Sequence, residues 1–371
     1  MTIIDCHAVF YNNNRVLVLN KFTPPEKAER LERYGSLDGL RAYAAIGIVI
    51  MHVLANISVK PSENYFTVTL IPWFTDFTLL FMVVSGFSLC CGYYERIKAG
   101  LITPNSFYKK RYIRILPFFA SLCVLDVIIS PSMYSLYEMF ADMTLCFGLL
   151  PDVNISVIGV GWFLGVVFVF YMLFPFFVFL MDNRRRGWIV LVATLLLVWM
   201  ATRYSFNGES PEPVIGRGNI VYCMPLFMAG GLVFLYRNPL SLFVNRHNRM
   251  ACCIMLAGVL TFFVLSLWEY SSFVLLLSEL VLFTIVLIYA IGSDNILFNN
   301  RVVKYVSGLS MEIYLCHMVM FRVVERLHLE NFISDTDCLY IVVSVSVMTG
   351  TIVFSHVMKH YLLKGIIAKF G

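Results

Sequence analysis

Apolar residues run along this chain in long stretches, interrupted by short polar connections that are often basic. Neither strict alternation nor a single apolar stripe dominates. The runs are apolar all round, as helices are when lipid rather than water surrounds them. Ten runs are long enough to span a membrane, at roughly 38–57, 71–94, 113–131, 158–181, 188–204, 220–236, 250–268, 272–291, 306–327 and 338–358. The pattern predicts an all-α fold, a polytopic membrane bundle of about ten transmembrane helices over 36–358. An extension at 1–35 precedes it and a tail at 359–371 follows. In the extension, HAVFYNNNRVLVL holds two short β-prone runs around Asn12, Asn13 and Asn14, a pattern compatible with a hairpin. Charged residues from Asp5 to Arg33 leave no apolar core there, so the extension is not expected to be a signal peptide.

Composition agrees with the pattern. Hydrophobic residues make up 59% of the 371 and charged residues 14%, against about 45–50% and about 25% in soluble domains. A soluble enzyme and a disordered chain are excluded. The net charge of +5 is too small to imply nucleic acid as a partner, whereas membrane lipids are implied throughout. The ten cysteines lie mostly inside apolar runs. They show no C-x-x-C and no zinc spacing, so they are expected to pack rather than pair or bind metal.

Lysine and arginine orient the spans. Twenty-three of the 28 fall in the leading segment through Arg41, the connections at 95–114, 182–187, 237–249 and 292–304, and the tail. Lys60, Arg203, Arg217, Arg322 and Arg326 make up the other side. This alternation predicts a multi-pass protein of the plasma or inner membrane with both termini cytoplasmic.

Ionisable side chains at membrane depth are costly, so each is a functional candidate. Arg41 and His52 lie eleven residues apart on the first span. That is about 1100° of rotation, so they share a face about 16 Å apart along the axis. Arg41 is expected at the cytoplasmic mouth and His52 near mid-membrane. In the ninth span Ser310, Tyr314 and His317 share a stripe, with Glu312 about 140° away from His317. Arg111 and Arg114, with Lys109 and Lys110, form a basic cluster where the third span begins, suited to phosphates. Asp126 and Glu279 are two further acids at depth, and Ser85-Gly86-Phe87 sits late in the second span. The 132–157 connection, with Tyr134, Tyr137, Glu138, Asp142 and Asp152, reads either as a sugar-binding rim or as an interfacial helix. No P-loop, G-x-S-x-G or H-E-x-x-H is present.

Six segments together resemble the membrane-bound acyltransferase family 3, integral membrane O-acetyltransferases. They are SLDGLRAYAAIGIVIMH, FMVVSGFSL, FYKKRYIRILP, GWFLGVVFVFYMLFP, CMPLFMAGGLVF and SGLSMEIYLCHMV, in the family's order across roughly 36–358. The resemblance implies that His52 is the catalytic histidine and Arg41 its partner. It also implies that Arg111 and Arg114, with Lys110 beside them, bind an acyl-CoA donor, usually acetyl-CoA, as co-substrate with no bound cofactor. Ser85, Trp162, Ser310, Tyr314 and His317 would then line the chamber. The acceptor implied is a hydroxyl of an envelope glycan or lipid-linked sugar. Two positions depart from the family pattern: Val166-Val167 stand where many members have Glu, and Leu79 where many have Asp.

Such chemistry requires a group that takes the acceptor hydroxyl's proton as the thioester is attacked. His52 serves either as general base or as a nucleophile that carries the acyl group. A proton-coupled transporter or flippase using His52 and His317 is the alternative reading of the same intramembrane groups.

Overall fold

The computed structural model describes residues 34–129, 131–149, 160–203, 216–265 and 271–365. The expected hairpin around Asn12–Asn14, and Asp152, lie outside them. The described residues form helices joined by short connections, with no strand among them. In chain order the helices are α1 (Ser36–Asn56), α2 (Phe66–Lys98), α3 (Pro104–Ile129), α4 (Met133–Met143), α5 (Trp162–Leu180), α6 (Arg184–Arg203) and α7 (Ile220–Leu235). They continue with α8 (Arg237–Arg246), α9 (Asn248–Leu265), α10 (Ser272–Gly292), α11 (Arg301–Gly308), α12 (Ser310–Glu325) and α13 (Thr336–Tyr361).

Helices form at all ten apolar runs, but among the described residues seven are long and apolar enough to cross a membrane, or eight if the bent pair α7–α8 is one span. The difference has local causes. The run at 306–327 breaks at Leu309, leaving α12 with 16 residues that include Glu312, Arg322 and Glu325. The run at 220–236 gives 16 residues before the chain turns by 75° into α8. The amphipathic helix α4 exposes Met133, Tyr134, Tyr137 and Phe140, the character of an interfacial helix.

Side-chain contacts gather the basic connections at one end of the bundle. Lys98 pairs with Asp182 at 2.7 Å, and this hydrogen bond holds the Asp182 carboxyl below its usual range. Tyr94 donates to the Met181 carbonyl, Arg184 to the Leu235 carbonyl, Ser36 to the Ser293 carbonyl and Lys359 to the Gly308 carbonyl. This end is called the basic end below. At the opposite end Asp337, in the first turn of α13, accepts from the Ser62 amide and hydroxyl at 2.8 and 2.6 Å.

The helix α1 sits in the middle, packed against α2, α10, α11, α12 and α13. The helices α2 and α7 cross at backbone contact. A Cβ on Gly86 would meet the Phe227 carbonyl oxygen, and one on Gly230 would meet the Val83 carbonyl oxygen. Glycine at both positions lets the backbones touch, which membrane helices use to gain packing. Phe87, Phe119, Phe168, Phe174, Phe227 and Phe283 are fully buried around this crossing and its neighbours. The described cysteines are all free, with Cys90, Cys123, Cys223 and Cys316 buried.

Candidate active site

Arg41 lies on the second turn of α1 and reaches across to α2, where Nη2 donates to Ser88 Oγ at 2.6 Å. Asp38, one turn earlier, lies within electrostatic range of its guanidinium, as does Arg114. Asp38 is itself held by Ser307 Oγ at 2.9 Å. A cavity of about 400 Å³ opens here between α1, α2, α3, α5, α11 and α12. Arg41, Arg111 and Arg114 line it together with Ser85, Ser88, Tyr93, Tyr171, Ser310 and Tyr314. Among the described residues no carboxylate lines it, so three guanidinium groups face one space.

The two arginines of α3 differ in setting. Arg111 is half-buried in an aromatic box, with its guanidinium carbon 4.6 Å from the Tyr93 ring centre, 5.6 Å from Tyr171 and 5.8 Å from Phe107. It donates to the Tyr93 hydroxyl, and its Nε is buried without a hydrogen-bond partner. Arg114, three residues on, is exposed. Tyr93 reaches the cavity from a widened π turn at Cys90–Tyr94. Such turns re-aim side chains that a regular helix would direct elsewhere.

Arg111 and Arg114 also border a second cavity of about 370 Å³ with Lys110, Glu312 and Lys359. Lys110 therefore lies beside the arginine cavity and not in its wall. Glu312 pairs with Lys359 at 2.7 Å, on the side of α12 away from the first cavity.

The inner wall of the arginine cavity is apolar, made by Phe81, Phe163, Leu164, Val167 and Leu315. Tyr314 connects it to the histidines. Its ring lies 5.6 Å from Phe163 and 6.0 Å from His317, and its hydroxyl is committed to the Val160 carbonyl at 2.5 Å. His52 and His317 meet beyond it, ring centres 5.0 Å apart and tilted by 43°. His52 lies about 24 Å along α1, nearer its opposite end, and is partly exposed. His317 is only 1% exposed. Its Nδ1 is 2.7 Å from the Tyr314 carbonyl oxygen. A carbonyl only accepts, so Nδ1 carries the hydrogen and Nε2 holds a lone pair. That Nε2 is buried and has no hydrogen-bond partner.

Of the residues singled out from sequence, Arg41, Ser85, Arg111, Arg114, Ser310 and Tyr314 come together in one cavity, and His52 meets His317 one layer deeper. Trp162 does neither. It begins α5 at the opposite end and packs on Phe163 at 5.8 Å. Asp126 stands apart in a small groove with Arg322 and Arg326.

Sequence reasoning missed three functional candidates. Ser88, which holds Arg41, is one turn beyond Ser85 and was legible as an i, i+3 pair of hydroxyls. Asp76 stands one turn before Leu79, the position where the resemblance pointed to a missing acid. Arg217 was read only as an outward charge. The last two form an ion pair at 2.7 Å, and Glu279 lies within electrostatic range of Asp76.

A family profile described as an acyltransferase domain matches residues 34–358, almost the whole helical part. A similar curated protein is "Protein 2 in picA locus" of Rhizobium radiobacter, 34% identical over 88 residues, 24% of this chain. The match covers 41% of that relative's length. No solved structure matches. With the profile covering the bundle from Tyr34 to Met358, the chain belongs to the membrane acyltransferases of acyltransferase family 3.

Proposed function

We propose that this protein is an integral membrane O-acyltransferase. It moves an acyl group, acetyl from acetyl-CoA, onto a hydroxyl of an envelope glycan or lipid-linked sugar presented from the opposite end. The observation that carries this reading is the arginine cavity, which sets three guanidinium groups, and no carboxylate among the described residues, around one space at the basic end. A donor rich in phosphate fits there, with Arg111 and Arg114 on its phosphates and its thioester turned toward the apolar wall. A proton relay has no use for such a cavity, which weighs against the transporter reading.

In this reading His52 is the general base. It takes the acceptor hydroxyl's proton as the oxygen attacks the thioester carbonyl carbon. The carbon–sulfur bond breaks, and the departing thiolate takes that proton from His52. An ester and free CoA are the products. His317 replaces the carboxylate that usually orients a catalytic histidine. Its Nε2, without a partner in this structure and on a ring 5.0 Å from that of His52, would take the N–H of His52 when the acceptor binds, which leaves the other His52 nitrogen with a lone pair for the hydroxyl. The basic end faces the cytoplasm, as the lysine and arginine distribution supports.

The test is thiol release from acetyl-CoA by purified protein in detergent. Release that rises when a sugar acceptor is added is the expected result. No thiol release above a denatured control, with any acceptor, would overturn the reading.

A further inference from the structure

Arg217, Asp76 and Glu279 belong to the opposite-end approach to His52 and take no part in the arginine cavity. The Phe74–Asp76 turn of α2 packs against α1, and Arg217 lies within electrostatic range of His52. The arginine precedes α7, two residues before the Asn219 cap.

One nitrogen of Arg217 does all its described bonding. Nη1 donates to Thr75 Oγ1 and to Asp76 Oδ1, both at 2.7 Å. An ion pair that served only to hold the chain gains most from the two-pronged fork. Here the fork formed by Nε and Nη2 has no hydrogen bond among the described residues. The side chain is 42% exposed, whereas Asp76 behind it is 14% exposed. Asp76 lies within electrostatic range of Glu279, which is 1% exposed and has an Oε2 without a partner. Burying a carboxyl with an unsatisfied oxygen is costly. Two acids behind the guanidinium thus fix its position and leave its free edge forward. Of the other described basic groups at this end, Arg203 is exposed at the end of α6, and the rest are engaged or border another groove. Lys60 caps α1 through the Leu54 and Ala55 carbonyls, and Arg322 and Arg326 border a separate groove.

We infer that Arg217, backed by Asp76 and Glu279, is an anion-binding subsite for the acyl acceptor, and that the acceptor is an acidic sugar bearing a carboxylate or a phosphate near the hydroxyl that is acylated. The inference rests on the acyl-transfer reading for the word acceptor, but its test does not require turnover.

Binding of methyl glucuronide, glucose 6-phosphate and neutral methyl glucoside is measured by calorimetry on purified protein without donor. Wild type is expected to bind at least one acidic sugar about tenfold or more tightly than the neutral one. Which acidic sugar wins separates carboxylate from phosphate. Arg217→Gln is expected to abolish the preference, and Arg217→Lys to keep part of it, with unchanged size-exclusion profiles. Equal binding of all three sugars by wild type overturns the inference, as does a preference that survives Arg217→Gln. Thiol release from acetyl-CoA, followed on the same samples, reports separately on the acyl-transfer reading. An Arg217-dependent preference without thiol release sinks acyl transfer and leaves the anion subsite standing.

Discussion

Replacing Arg111 and Arg114 one at a time by Gln separates two arginines that sequence alone treats as equals. Both line the same cavity, but Arg111 is clamped among Tyr93, Tyr171 and Phe107 and Arg114 is exposed. A preorganised guanidinium in a partly dry site forms a charge-assisted bond worth about 1.5–3 kcal/mol. Since about 1.4 kcal/mol is tenfold, Arg111→Gln is expected to raise the donor KM about 10- to 150-fold. An exposed arginine pays side-chain entropy and is screened by water, which leaves about 0.2–1 kcal/mol. Arg114→Gln should therefore raise KM less than about sixfold. The assay is labelled acetyl-CoA turnover against donor concentration, at fixed acceptor, in detergent. A kcat that stays within twofold while KM rises marks lost donor binding. The reasoning is refuted if Arg114→Gln is the more damaging, or if both lower kcat and leave KM unchanged. In the second case the pair belongs to membrane topology and not to the donor site.

Gly230→Leu should wedge α7 away from the Val83 carbonyl and lower stability by about 1–3 kcal/mol or more, read as a drop in the detergent melting temperature. An unchanged melting temperature would contradict the described crossing. Lys359→Met leaves Glu312, whose side chain is 5% exposed, without its cation. The expected loss is up to about 3 kcal/mol, restored by adding Glu312→Gln. If the double variant is no more stable than the single, the pair is not what makes Glu312 tolerable there. His317→Gln should lower kcat about tenfold or more with donor KM unchanged, as expected when a base loses its orientation. A wild-type kcat in that variant would remove His317 from the mechanism.

Long apolar runs made the helical architecture legible, because lipid requires every backbone group to bond within its own helix. The number of true spans was less legible. The break at Leu309 between α11 and α12 falls inside an apolar run, and the 75° bend after Leu235 comes where the run at 220–236 gives way to Arg237, Asn238 and Pro239 of α8. The basic pair Arg111 and Arg114 was readable from spacing and from the family resemblance, but Arg41, read as the partner of His52, was not expected in one cavity with them. Lys110, expected beside the donor, and Trp162, expected in the chamber lining, lie outside that cavity's wall. Lys110 is next to Arg111 in sequence, and residues one apart face different ways on a helix. Trp162 begins α5 at the end far from the arginines. Asp76 and Arg217 escaped because they are 141 residues apart. A charge in an apolar run reveals its cost but not its partner.

The central claim is that a donor bound among arginines at the basic end is attacked under the control of His52 by an acceptor from the opposite end. Sealed vesicles of known orientation, with labelled acetyl-CoA confined to the side of Arg111 and Arg114 and a sugar acceptor confined to the other, test it most directly. The account predicts label on the acceptor across the membrane from wild type, and a loss of about 10²–10⁴-fold in His52→Ala at equal insertion. Transfer by His52→Ala at the wild-type rate, or transfer only when donor and acceptor share one side, would contradict it.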